Sequence, residues 1–500
     1  MKKAGRFICA FAAFAVVIYL SLIHPLLFRN RFFDINTVKA YAFEAFALCA
    51  FALFVIGLIM RGFEMDSPVR ADDFFLIVFV IVASVSTYLS PYSEEALTGE
   101  AGRSCGLLFI TALAALYFVV SHTPRVRRMI YFCLTISGTL VSALAVMNFF
   151  GVDPLRFYTD FSEATHYMFI STVGNTSVFG SFLAVFLPLV FWRMYMSKSA
   201  LGHALLSVCA FIGCCALIAA RCDAAYIAVI VFFAFSLCLW DKVARGRIAE
   251  AAAILSISMV AMRLACGAYG HFGLEGSLSG AFLAFEYWYI PAAFFAVLAA
   301  IGFFLKSRRR LFSGKAFTFA FGVLLASAAA LTVYYTFINT SAPLAKPLGV
   351  FRITALWGNS RGYIWDISLK LFKDAPLLQK LFGYGPDTLG LAASEKYIEV
   401  MLSSRGMIID NAHNLPLQLL LTTGVTGLVS FAAFAFFAVK RMFADAKERP
   451  VMWGALICVV CYFAVSLVGV EQAVTTPLLF LMLAARRINH YDNDYRSSLK

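Results

Sequence analysis

Runs of apolar residues long enough to cross a bilayer recur along almost the whole chain, and they leave it few folds to choose from. Backbone N–H and C=O groups find no water in hydrocarbon, so each run must satisfy them internally as a helix. The runs lie near 7–28, 41–60, 74–90, 105–121, 129–150, 178–196, 201–220, 222–240, 248–267, 286–305, 316–338, 415–439, 451–470 and 474–488, about fourteen in all. Composition agrees: 62% of residues are hydrophobic and 14% charged, where a soluble domain has roughly a quarter charged. The expected fold is an all-α integral membrane protein with about 12–14 transmembrane helices and one long external loop holding short amphipathic helices. Residues 1–500 read as a single polytopic membrane domain without internal repeats. Two runs are weak: 248–267 holds Arg263, the one charge placed mid-span, and 474–488 is short and begins beside Pro477. Either reads as a span or as a re-entrant segment.

The net charge of +13 raises nucleic acid as a partner, but its placement argues against it. With Lys2, Lys3 and Arg6 on the inner side, strict alternation puts every strongly basic linker there: Arg125/Arg127/Arg128, Lys242/Arg245/Arg247, Lys306/Arg308/Arg309/Arg310, Lys440/Arg441/Lys447/Arg449 and Arg486/Arg487. This asymmetry anchors topology and places both termini in the cytoplasm. The first apolar run continues past Leu20 without a convincing cleavage site, so it reads as an uncleaved span. Alternation then puts residues 340–413 outside, together with 91–104, 151–175 and the tight hairpin Ala220–Ala224.

Most of the twelve cysteines fall inside spans, where a thiol behaves as a small hydrophobe, so no disulfide framework is expected. Cys458 and Cys461 form a CxxC within an apolar helix and lack further ligands. No Walker-type loop, HExxH or His/Cys cluster occurs, so no metal and no cofactor are expected, and ATP-driven transport loses support.

Chemistry is to be sought in the 340–413 loop, the longest polar segment. Asn359 or Ser360 is placed to cap a helix from about Arg361 to Lys373, ended by Pro376 and amphipathic enough to lie on the membrane surface. GYGPDT (Gly383–Thr388), containing Asp387, reads as a turn, and a second helix runs from about Ser394 to Ser404. Arg361 and Trp365, four residues apart, share a helix face. Arg361 is either an interfacial anchor or a phosphate ligand, since a planar guanidinium engages phosphate bidentately and keeps its proton. Arg221 has only Asp223 beside it at the mouth of a span, and is salt-bridged or held for an anion. His413, between Asp410 and Asn414, is a polar cap or a general base oriented by a neighbouring carboxylate or amide. Arg103, the one basic residue of an acidic loop, is a third phosphate contact or an anchor, and Asn175 opens a span.

Read together, R361GYIW365, Pro376 with G383YGPDT388, and H413NLPLQLLLTTGVTG427 resemble the O-antigen ligase and polymerase family. Ser171–Leu189 resembles its Gly-Asn span opening, Gly99–Leu108 its upstream Arg segment and Ala219–Tyr226 its Arg hairpin, so the likeness covers about 90–488. Cys222 and Asp223 stand where the family often has Ser or Gly. The resemblance implies a metal-independent glycosyltransferase of the bacterial plasma membrane. It would use a polyprenyl-diphosphate-linked glycan donor at the outer face and pass the glycan to a glycan, lipid or protein acceptor. Carried over, Arg361 and Arg221, with Arg103, would bind the diphosphate and His413 would be the base, supported by Trp365, Asp387, Asp410, Asn414 and Asn175. The alternative is a lipid-linked oligosaccharide flippase or other polysaccharide transporter, for which internal repeats and charges buried mid-membrane are expected.

Overall fold

The structure, a computed structural model, describes residues 1–66, 68–123, 126–159, 162–239, 245–269, 289–305, 313–341, 343–344, 346–469 and 472–485. Each of the expected apolar runs holds a helix. In chain order these are α1 (Lys2–Ile18), α2 (Ile35–Met60), α3 (Ala71–Leu89), the short α4 (Ser93–Thr98), α5 (Leu107–Ser121), α6 (Arg127–Phe149), α7 (Thr176–Met196), α8 (Ala200–Ala219), α9 (Asp223–Cys238), α10 (Arg245–Tyr269), α11 (Tyr289–Leu305) and α12 (Gly314–Val333). The loop contributes α13 (Trp357–Lys373), α14 (Leu377–Phe382) and α15 (Leu389–Arg405), followed by α16 (Leu415–Thr422), α17 (Gly424–Glu448), α18 (Trp453–Ser466) and α19 (Thr476–Ala484). Arg125, Lys242, the Lys306–Arg310 cluster and Arg486/Arg487 lie outside the described residues.

Nine helices among the described residues are long and apolar enough to span a membrane. Fewer helices reach that length than there are apolar runs; α5 and α9, for example, have 15 and 16 residues. The centre is α7, apolar on all sides and 89% buried across its span, whereas the span Gly314–Ile338 is 0% buried. The CxxC thiols are packing groups, donating to the carbonyls of Val185 (3.3 Å) and Ala228 (3.4 Å) on α7 and α9. All twelve cysteines are free thiols.

Three expectations are corrected. Arg263 is not the one charge within the apolar helices: Lys39 and Glu44 of α2 are buried at 0% and 8% exposure. Lys39 Nζ donates to the carbonyls of His24 (2.8 Å) and Pro25 (2.9 Å), completing the carbonyl end of the first span. The helix expected from about Ser394 is α15 and starts at Leu389, because Leu389, Ala392 and Ala393 pack against Ile364, Ile367 and Leu371 of α13.

The third correction bears on the site. The run at 415–439 is two helices, α16 and α17, separated at Thr423. Such a break strands carbonyls that need partners in an apolar setting. The GYGPDT turn supplies them: Tyr384 N–H donates to Leu421 O and Gly385 N–H to Thr422 O, each at 2.9 Å. Ser86 of α3 also donates to Thr422 O, at 2.8 Å. The interlock admits only glycine at two places. A Cβ on Gly424 (φ 72°) would sit 2.2 Å from Leu381 O, and one on Gly383 (φ 80°) 2.3 Å from Thr422 C and O. The loop is thereby pinned onto the α16–α17 break, at the end of α16 opposite His413.

Candidate functional site

His413 precedes α16 because Asn414 caps that helix: its Oδ1 accepts from Leu417 N–H at 2.9 Å, and its Nδ2 donates to Leu467 O at 2.9 Å. Both ends of the Asn414 amide are engaged in this way, with backbone groups rather than with the imidazole. His413 itself has φ 47°, in the left-handed region that disfavours a side chain. Three hydrogen bonds fix the backbone around it. Asn411 Oδ1 accepts from His413 N–H (2.7 Å), Trp365 Nε1–H donates to Ala412 O (3.0 Å), and Gln418 Oε1 accepts from Ala412 N–H (2.9 Å). Trp365 stands one turn after Arg361 on α13, so a single helix face carries the guanidinium and the indole that grips the His413 segment.

Gly358, Asn359 and Ser360 all have positive φ (58°, 59° and 68°), and the regular turns of α13 begin at Arg361, but the expected cap is corrected: no side-chain hydrogen bond caps this helix start, because Asn359 and Ser360 lie in the left-handed region instead of the extended one a cap residue adopts. Arg361 Nη1 donates to Gly358 O at 3.0 Å, while its buried Nε has no hydrogen-bond partner. Burial lowers its pKa, and Cys222 and Asp223 partly offset this, but a guanidinium stays charged throughout. Asp223 and Cys222 belong to the hairpin between α8 and α9, so the tertiary fold brings that hairpin to Arg361. Arg221, in the same hairpin, has φ 52° and lies over the Phe149 ring at 5.7 Å.

Buried His413 Nδ1 also lacks a partner. Burial, then the positive charge of Arg361, depresses the imidazole pKa from 6.5 to about 4, with Arg103 adding to the effect and Asp410 opposing it. The imidazole is therefore neutral near pH 7, the form in which it accepts a proton.

Arg103 is 8% exposed, and its Nε bonds Asp387 Oδ1 at 2.8 Å while its Nη1 lies 3.5 Å from Asp410 Oδ2. Burial opposes its charge, but the two carboxylates more than offset this and its pKa is raised. Asp387 Oδ2 further accepts the N–H groups of Glu100 and Cys105, each at 3.0 Å. The Asp387 carboxylate is thus the bolt between the 99–106 loop and the GYGPDT turn, and Arg103 sets the charge around His413 from a paired position. Asn175 lies apart from these contacts: its Oδ1 caps α7 by accepting from Ser177 N–H at 2.8 Å.

Sequence reading missed Gln418, Asn411 and Glu100. Glu100 Oε2 is buried without a partner, and burial followed by the Asp387 charge raises its pKa. Gln418 and Asn411 gave no local signal, since each acts on a backbone group whose position only the folded loop defines. Among the described residues no three His, Cys, Asp or Glu side chains are grouped to hold a metal ion.

Residues 278–432 match the family model for O-antigen ligase. Over that segment the chain is similar to O-antigen ligase. The match supports O-antigen ligase-type glycan transfer in a membrane by a glycosyltransferase-like enzyme. The matched segment includes Arg361, Trp365, Asp387, Asp410, His413 and Asn414, whereas Arg103, Asn175 and Arg221 precede it. No curated protein matches the chain significantly.

Proposed function

We propose that this chain transfers glycan from a polyprenyl diphosphate to an acceptor hydroxyl at the outer face of the bacterial plasma membrane, without a metal ion. The observation that carries the proposal is the pairing of two incompletely satisfied groups. The Arg361 guanidinium and a neutral His413 imidazole share one electrostatic neighbourhood, each with a buried nitrogen lacking a partner, inside an O-antigen ligase segment. In the reaction, the acceptor oxygen forms a bond to the anomeric carbon while its proton passes to His413. The bond from that carbon to the diphosphate oxygen breaks, and its electron pair stays on the polyprenyl diphosphate. Fixed cations stabilise the charge that develops on the leaving group, a role assigned to Arg361 and to Arg221 on the adjacent hairpin. Arg103, engaged by Asp387 and Asp410, acts through its field rather than by direct phosphate contact.

The test is transfer from a purified polyprenyl-diphosphate glycan by reconstituted wild type, Arg361→Ala and His413→Ala. General-base and oxyanion-type losses are each about a hundredfold or more. Wild-type turnover in both variants would remove the mechanism.

A further inference from the structure

Gln418 stands in α16, 5% exposed, and its side chain reaches back to the turn that precedes the helix. Its Oε1 accepts from Ala412 N–H at 2.9 Å, and Ala412 is itself fully buried. The next peptide is held from its other edges: Trp365 donates to Ala412 O and Asn411 accepts from His413 N–H. Two successive peptide planes are thus fixed in space, which fixes both backbone dihedrals of Ala412 and the plane from which His413 departs. That departure is strained at φ 47°, so the turn relaxes to a commoner conformation when a grip is released. Relaxation would swing the imidazole away from Arg361.

We infer that Gln418 is a positioning residue for His413, acting together with Trp365 through the Ala412 peptides and touching no substrate itself. The inference rests on His413 being the base of the proposed reaction. Reach and angle of a base matter steeply, with displacement of about 1 Å lowering rates by about a hundredfold. A residue that only filled space would not act through one hydrogen-bond acceptor.

The experiment is steady-state glycan transfer by the reconstituted full chain, with donor concentration varied. Gln418→Leu removes the acceptor at similar volume and is expected to lower kcat by about a hundredfold, with KM for the donor unchanged. Gln418→Glu keeps an acceptor oxygen at the same place and is expected to recover most of the lost turnover. In a His413→Ala background, Gln418→Leu is expected to add no further loss, because its effect passes through the imidazole. Wild-type kcat in Gln418→Leu, a loss expressed in KM, no recovery in Gln418→Glu, or an additive loss in the double variant would each overturn the inference. If Gln418→Leu does not fold, Trp365→Phe decides: it removes the donor to Ala412 O and is expected to show the same kcat-specific loss, and normal turnover there overturns the idea. Wild-type turnover in His413→Ala alone identifies the failure as that of the catalytic reading, since it does not depend on how the turn is held.

Discussion

The electrostatics of His413 lead to a prediction that separates this site from a simple exposed imidazole. Burial and the Arg361 charge hold its pKa at about 4, against 6.5 for the unperturbed group. A depressed histidine pKa keeps the neutral, proton-accepting form populated at lower pH. At pH 5.5 about 97% of the imidazole is then neutral, compared with about a tenth for an unperturbed group. The perturbation is pH itself, varied from 7.5 to 4 in the glycan-transfer assay, with kcat/KM and kcat recorded separately. Because kcat/KM reports the free enzyme, it is expected to stay nearly flat to pH 5.5 and to fall only near pH 4. An unperturbed imidazole would instead give about a tenfold drop by pH 5.5. Donor binding brings negative charge next to Arg361 and cancels part of its repulsion of the imidazolium. The limb in kcat is therefore expected at higher pH than the limb in kcat/KM. Asp410 raises the pKa of His413, so Asp410→Asn is expected to move the kcat/KM limb to lower pH. A limb between pH 6 and 7 in kcat/KM, or one unaffected by donor, would refute the reasoning.

Further outcomes follow from the packing. Asp387→Ala leaves Arg103 buried beside only the more distant Asp410 and strips two N–H groups of their acceptor. It is expected to destabilise the protein by about 3–5 kcal/mol, read as a lower melting temperature in detergent. Gly424→Ala forces a Cβ to 2.2 Å from Leu381 O at φ 72° and is expected to cost more than the roughly 1–2 kcal/mol of the left-handed backbone alone. Gly406→Ala, also at positive φ but with nothing within 4 Å, is expected to show only that smaller loss, so equal melting temperatures for the two variants would remove the interlock argument. Chelation with EDTA is expected to leave transfer unchanged, measured on protein purified without added metal, and loss of activity restored by a divalent cation would overturn the metal-independent mechanism. Arg361→Lys keeps a charge but not the fork of donors and is expected to raise donor KM or lower kcat at least tenfold, with wild-type kinetics counting against a diphosphate role.

The helices, the polar loop and the candidates Arg361, Trp365 and His413 were legible in the chain because each follows from local physics. An apolar run in lipid must be helical, and residues four apart share a helix face. Their juxtaposition was suggested by the likeness to a family, not by spacing. Tertiary structure alone decided what the polar groups do. Arg103 and Asp387 meet across 284 residues, so nothing near Arg103 announced that its charge is already engaged. The break between α16 and α17 looked like continuous apolar helix because the partners of its carbonyls arrive from the GYGPDT turn. Gln418 passed for an ordinary residue of an apolar stretch, since the N–H it holds becomes a buried donor only once the turn before His413 has folded back on the helix. Local sequence fixes dihedral preferences and which faces avoid water, while hydrogen-bond partners far apart in the chain are chosen by how helices and loops pack in space.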